Sequence, residues 1–217
     1  MPTRIALIHA TPVAMQPVRD AFHRGWREIE TVNLLDDALS VDLARAGNLN
    51  QAMRRRIASL AAYAMNMGVA GILFTCSAFG EAIDVVAREA SMPVLKPNEA
   101  MFEEALGLGK TVGLLATFQP SIPSLEQEFS AIAATQDKDM KLESVWVPDA
   151  MEALTAGEAK RHNHLIAEAA PRLAHCDVVM LAQFSMAQAL PAVQKAIHSP
   201  VLTSPDSAVA KLKAVLT

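Results

Sequence analysis

The sequence nearly repeats itself, and a duplicated chain has few ways to fold. Gly71-Ile72-Leu73-Phe74-Thr75-Cys76-Ser77 matches Asp177-Val178-Val179-Met180-Leu181-Ala182-Gln183 in character, and Cys76 and Gln183 stand 107 positions apart. Met92-Pro93-Val94-Leu95 matches Ser199-Pro200-Val201-Leu202 at the same offset, and Ile8-His9-Ala10-Thr11 matches Leu114-Leu115-Ala116-Thr117 at 106. The offset is close to half of the 217 residues. Two similar half-domains are expected, facing each other across one cleft built from equivalent corners. A thiol then stands where its counterpart is an amide.

The pattern within each half is alternation. Short apolar runs read as buried parallel strands: Ile5 to His9, Val32 to Leu35, Val69 to Thr75, Val94-Leu95, Val112 to Ala116, Leu142 to Val147, Val178 to Ala182 and Val201-Leu202. Helical patterns lie between them. Met53, Ile57, Leu60, Ala61 and Ala64 share one face of a long helix that Gly68 ends. Thr155-Ala156-Gly157-Glu158 has the form of a capping box, Pro171 should kink or stop the helix that follows, and Pro123 suits a first helical turn. Such alternation implies βαβ units, a parallel sheet and right-handed crossovers. The stretch Lys96–Gly109 is the expected hinge. It divides a first lobe of residues 1–97 plus 200–217 from a second lobe of residues 98–199.

Bulk properties exclude several function classes. Apolar residues make up 52% and charged residues 19%, the balance of a globular chain. The net charge is −4, and the one basic cluster, Arg54-Arg55-Arg56, lies in a helical pattern and reads as a solvated face, so no nucleic-acid partner is expected. Met1-Pro2-Thr3-Arg4 leads straight into a strand pattern, so no secretory leader is expected. No apolar run reaches the ~18 residues of a membrane span, so no membrane partner is expected either. Two cysteines far apart give no disulfide framework, and a cytoplasmic setting follows as the default.

In open parallel sheets, ligands sit beyond the carboxyl ends of the strands. That rule selects His9 to Pro12, Thr75 to Ala78, Ala116 to Gln119 and Gln183 to Met186, the same corners the repeat selects. Cys76 precedes a helix beginning near Glu81, where a helix N-terminus would lower its pKa and fit it for acid–base or nucleophilic work. Cys176 comes before its strand, at the wrong end for a site, and reads as structural. Gln183 can orient a carboxylate or carbonyl but cannot carry a proton. Thr117 and Ser121 flank a hydroxyl-rich turn that could nest a carboxylate. Ser185 reads as a helix cap that could also hold a substrate oxygen. His9 and Thr11 occupy the first corner, with Thr75 and Ser77 on either side of Cys76. His162 and His164 point to different faces of one helix, and no metal site is assigned.

Gly71–Ala78, Lys110–Thr117 and Asp177–Gln183 together carry a resemblance to the aspartate/glutamate/hydantoin racemase superfamily, and the likeness spans nearly the whole chain. The resemblance implies an α/β fold of two pseudo-symmetric, Rossmann-like lobes with parallel sheets and the site in the cleft between them. It also implies no cofactor, a small carboxylate or amino-acid derivative as substrate, and a homodimer. The family's racemases exchange an α-proton between two cysteines. The first maps onto Cys76, the second onto Gln183, so a conventional two-thiol mechanism is not what these residues provide. The expected function is a cofactor-independent, racemase-like isomerase acting through Cys76, with His9, Thr11, Thr75, Ser77, Thr117, Ser121 and Ser185 binding substrate and Gln183 orienting the second face. The alternatives are a single-cysteine decarboxylase of the arylmalonate type, or a non-catalytic carboxylate-binding protein.

Overall fold

Strands form where the apolar runs lie, because a parallel strand covered on both faces must be apolar along its whole length. The computed structural model describes residues 3–217; Met1 and Pro2, read as leading into the first strand, lie outside the described residues. The chain divides into two compact units, one of residues up to Pro97 together with Ala208–Thr217, the other Asn98–Ser207.

The first unit runs β1 (Arg4–His9), α1 (Met15–Gly25), β2 (Glu30–Leu35), α2 (Ala38–Ala46), α3 (Gln51–Asn66), β3 (Gly71–Phe74), α4 (Gly80–Glu89) and β4 (Val94–Leu95). Its sheet is parallel in the order β2-β1-β3-β4. Ala6 and Ile8 of β1 pack with Ile72 and Phe74 of β3 against Ile57 and Ala61 of α3 and Ile83 of α4. Ile5 and Leu7 are equally buried. Asn50 caps α3 by accepting from the Met53 N–H at 3.1 Å, and Gly68 follows the helix with a φ of 69°. A left-handed residue of this kind turns the chain out of a helix without a Cβ clash. Arg54, Arg55 and Arg56 form no uniform solvated face. Arg56 grips Asp36 through Nε at 2.8 Å and Asp42 through Nη1 at 2.6 Å, and Arg54 pairs with Glu81, so the cluster joins α3 to α2, α4 and the end of β2.

The second unit runs α5 (Glu99–Leu106), β5 (Thr111–Ala116), α6 (Ile122–Thr135), β6 (Lys141–Trp146), α7 (Ala150–Thr155), α8 (Ala159–Ala169), β7 (Val178–Leu181), α9 (Leu190–Ala196) and β8 (Val201–Thr203), ordered β6-β5-β7-β8 and again parallel. β8 pairs with β7, and the chain passes through α10 (Ser204–Leu216) to the first unit at Ala208, later than the boundary at 200 read from the sequence. Side chains of β5 and β7 alternate between two cores. Val112, Leu114, Val178 and Met180 face Phe102 and Phe129, whose rings meet edge to face at 5.6 Å. Leu115, Val179 and Leu181 face Ile166, Leu173 and Val193. Cys176 lies in that second core. Pro123 sits in the first turn of α6, and α8 stops at Ala169 before a 3-10 turn containing Pro171, both as the sequence predicts. The capping box does not form. Thr155 is the last residue of α7, its hydroxyl donates to the Glu152 carbonyl at 2.9 Å, and Gly157 turns the chain with a φ of 80°. His162 is buried and His164 exposed beside Glu168, so the two do point apart.

The pairings of β1 with β3 and of β3 with β4 recur at 107 in β5 with β7 and β7 with β8, whereas the outer partners differ: Arg4 pairs with Glu30 but Thr111 with Lys141, 111 positions on from Glu30. Ile5 pairs with Gly71 as Val112 does with Val178, and Ile72 with Val94 as Val179 does with Val201. The Thr75 N–H donates to the Ile8 carbonyl as the Ala182 N–H does to Leu115. Ala10 is therefore the equivalent of Thr117, and Thr11 that of Phe118. The match at 106 is one residue out of register, drawn there by two Ala-Thr pairs that the ladder does not align. No helix among the described residues is long and apolar enough to cross a membrane.

Candidate active site

β1 and β3 end side by side in the first unit and bring three of the expected residues together. His9 is buried at the last position of β1, and β3 delivers Thr75 and then Cys76. His9 Nδ1 lies 2.8 Å from Thr75 Oγ1, and Nε2 lies 2.9 Å from Asn33 Oδ1 on β2. With the Asn33 oxygen on the ring, Nε2 carries the proton and donates it, and Nδ1 accepts from the Thr75 hydroxyl. Thr75 is 3.4 Å from the Ile8 carbonyl, a poorer acceptor than the ring at 2.8 Å. Burial lowers the His9 pKa against the smaller raising effect of Asn33, so the ring is neutral at pH 7. Both ring nitrogens are committed to holding strand ends.

Cys76 has an extended backbone (φ −129°, ψ 116°) and opens a 3-10 turn, Ser77–Phe79, that leads into α4. Part of its surface is open, but its side chain packs against the core of the first unit. Burial pushes the thiol pKa up, against lesser opposing pulls from the Ala78 backbone N–H and the Ser40 side chain. This reverses the expected lowering. A single 3-10 turn separates the sulfur from the α-helix, and desolvation of a thiolate outweighs the donors present. Ser40, on α2, gives its hydroxyl proton to the Ala10 carbonyl at 2.7 Å. Its support for a thiolate at Cys76 therefore requires that hydroxyl to turn from Ala10 toward the sulfur. Ser77 is half-buried in the first turn after Cys76, and Thr11 is half-buried and extended before a 3-10 turn, Pro12–Ala14, that its side chain does not cap.

The second unit builds the equivalent corner differently. Gln183 follows β7, and its Oε1 accepts from the Thr117 backbone N–H at 2.8 Å and the Thr117 hydroxyl at 3.2 Å. Its Nε2 donates to Ser121 Oγ at 3.1 Å, whose own proton goes to the Phe118 carbonyl at 2.8 Å. Thr117, Ser121 and Gln183 are thus one hydrogen-bonded bridge between the ends of β5 and β7. Ser185 is not a helix cap: it is buried inside the 3-10 stretch Phe184–Ala189, and its carbonyl accepts from Gln188 Nε2 at 2.9 Å.

Asn33 and Ser40 escaped the sequence reading. Asn33 carried a signal, a polar residue set into the apolar run Val32 to Leu35, whereas Ser40 looked like any serine of an amphipathic helix. Among the described residues no group of three or more His, Cys, Asp or Glu side chains is arranged to hold a metal ion.

These corners can be compared with known proteins. A family model described as Asp/Glu/Hydantoin racemase matches residues 27–138, more than half of the chain. No curated protein matches the sequence. Among solved structures, an aspartate racemase homologue from Pyrococcus horikoshii OT3 is similar over 99% of both chains, with a TM-score of 0.75 at 16% identity. A glutamate racemase from Francisella tularensis subsp. tularensis SCHU S4, solved with D-glutamate, has a TM-score of 0.70 at 14% identity, covering 99% of this chain and 81% of that one. An allantoin racemase from Klebsiella pneumoniae has a TM-score of 0.71 at 14% identity, covering 98% and 87%. At these identities the structures speak for the fold alone.

Proposed function

The chain belongs to the Asp/Glu/hydantoin racemase family, and from that premise we propose that it is a racemase-like isomerase of a small carboxylate or amino-acid derivative, with Cys76 as its proton-transferring group. The observation that carries the reading is the place of Cys76, immediately beyond β3, partly open, with Ala78 and Ser40 at its sulfur. As a thiolate it would take the α-proton and leave a carbanion conjugated with the carboxylate; as the resulting thiol it would return a proton to the same carbon. Because burial favours the thiol, the abstracting form is scarce at neutral pH and has to be held by the Ala78 N–H and by Ser40 once its hydroxyl turns from Ala10. Positioned acid–base catalysis of this kind is worth roughly 10²–10⁴-fold.

Gln183 supplies no proton. Inversion would then need water to deliver one to the opposite face of the carbanion, while return by Cys76 regenerates the starting enantiomer. Exchange of the α-hydrogen with solvent should therefore outpace inversion. The test is proton NMR and polarimetry in D2O with both enantiomers of aspartate, glutamate and allantoin, the compounds that name the similar structures. Exchange that exceeds inversion and vanishes in Cys76→Ala supports the reading. Exchange that persists undiminished in Cys76→Ala refutes it.

A further inference from the structure

The Gln183 bridge is not something the fold requires. The first unit makes the same strand-to-turn corner, at equivalent positions 107 residues earlier, with Ala10, Ala14 and Cys76 in place of Thr117, Ser121 and Gln183. None of those three side chains can span the strand ends as the glutamine does. The bridge also consumes the donors that make the second corner useful. Its Oε1 takes the Thr117 N–H and hydroxyl together, the geometry in which one oxygen of a planar carboxylate would be held. A carboxamide and a carboxylate have the same shape. We infer that Gln183 is an internal occupant of a carboxylate seat at Thr117, and that it sets specificity by making every incoming carboxylate displace it.

The bridge is suited to being displaced. Thr117 is buried, fixed at the end of β5, while Gln183 is only half-buried and has a flexible side chain. When the amide leaves, Ser121 can turn its proton from the Phe118 carbonyl to the second oxygen of the ligand, and Phe118 is an exposed residue whose carbonyl can pass to water. Seated ligand and seated amide exclude each other, so apparent affinity falls by the fraction of molecules in which the seat is free. The penalty weighs most on small carboxylates with no other contacts to offset it.

This inference rests on the carboxylate-directed function proposed above, but its test does not depend on turnover. Malonate is titrated into wild type, Gln183→Ala and the nearly isosteric Gln183→Met, following the Thr117 backbone amide by 1H–15N NMR. Removing the two competing hydrogen bonds should tighten malonate binding about tenfold or more in both variants. In all three proteins the Thr117 amide should be among the resonances that move. Binding that is unchanged or weaker in both variants overturns the inference, as does absence of binding in all three or a titration that leaves the Thr117 amide still. If the variants bind tightly but no protein exchanges an α-hydrogen, the isomerase reading fails and the seat stands. If exchange depends on Cys76 and malonate affinity does not depend on Gln183, the reverse holds.

Discussion

Thr75→Val is the sharpest test of how the first corner is held. The substitution keeps the branched shape and removes one hydroxyl. That hydroxyl is the donor to His9 Nδ1 at 2.8 Å, in a pair that is 5% and 1% exposed, so no water replaces it cheaply. Leaving one buried acceptor unpaired costs about 1–3 kcal/mol, while the added methyl returns at most about 0.8 kcal/mol. The net cost is then about 0.2–3 kcal/mol, and at about 2–4 °C per kcal/mol for a chain of this size the thermal midpoint should fall by ~0.4–12 °C at pH 7.5. The assay is differential scanning calorimetry. A second arm uses pH. His9 is lowered in the folded state, so as pH falls below about 6.5 the unfolded ring takes up a proton that the folded ring refuses. Stability is thus full above that value and is lost as pH drops toward the folded pKa. His162, also buried with a lowered pKa, contributes in the same direction. In His9→Asn the acid-side slope should become shallower without vanishing. A midpoint for Thr75→Val equal to or above that of wild type, or an unchanged slope in His9→Asn, would show that the His9 network does not hold the strand ends.

The inner strands β1, β3, β5 and β7 were legible because a strand buried on both faces leaves little choice of residue, whereas the edge strands β2 and β6 keep open, polar positions. The eight apolar runs are eight strands among the described residues, each placed within a residue or two. What the sequence hid was register and partnership. Ala10-Thr11 and Ala116-Thr117 look alike, yet the hydrogen-bond ladder sets Thr117 opposite Ala10. The helix boundary at Thr155 followed a four-residue pattern that also fits the end of a helix, and Gly157 decides between them through its positive φ. The cysteine's position was readable but not its protonation, because the desolvation that raises its pKa comes from residues distant in sequence. The bond Asn33 accepts from His9 and the one Ser40 donates to Ala10 join residues 24 and 30 positions apart, so no local pattern shows them.

The remaining predictions follow from the core and from the two corners. Phe129→Ala and Phe102→Ala should each cost about 3–5 kcal/mol in urea unfolding, and the double variant should cost less than the two together by about 0.5–1.5 kcal/mol, the worth of the edge-to-face pair they share. Any Cys76-dependent exchange should rise with pH through the alkaline range, since its raised thiol pKa keeps the thiolate scarce at pH 7; a flat profile between pH 7 and 9 would contradict that. Gln183→Cys tests the chemistry of the second corner against its binding role. It removes the bridge as Gln183→Ala does, but leaves a thiol at the position equivalent to Cys76. Relief of competition alone would raise exchange and inversion by the same factor in both variants, because it acts on the amount of substrate bound. A second proton-carrying sulfur acts on the fate of the carbanion, and should raise the ratio of inversion to exchange in Gln183→Cys only. Equal ratios in the cysteine and alanine variants, with the new thiol shown to titrate, would mean that a proton carrier at position 183 does not reach the carbanion, and that the difference between the two corners is one of binding alone.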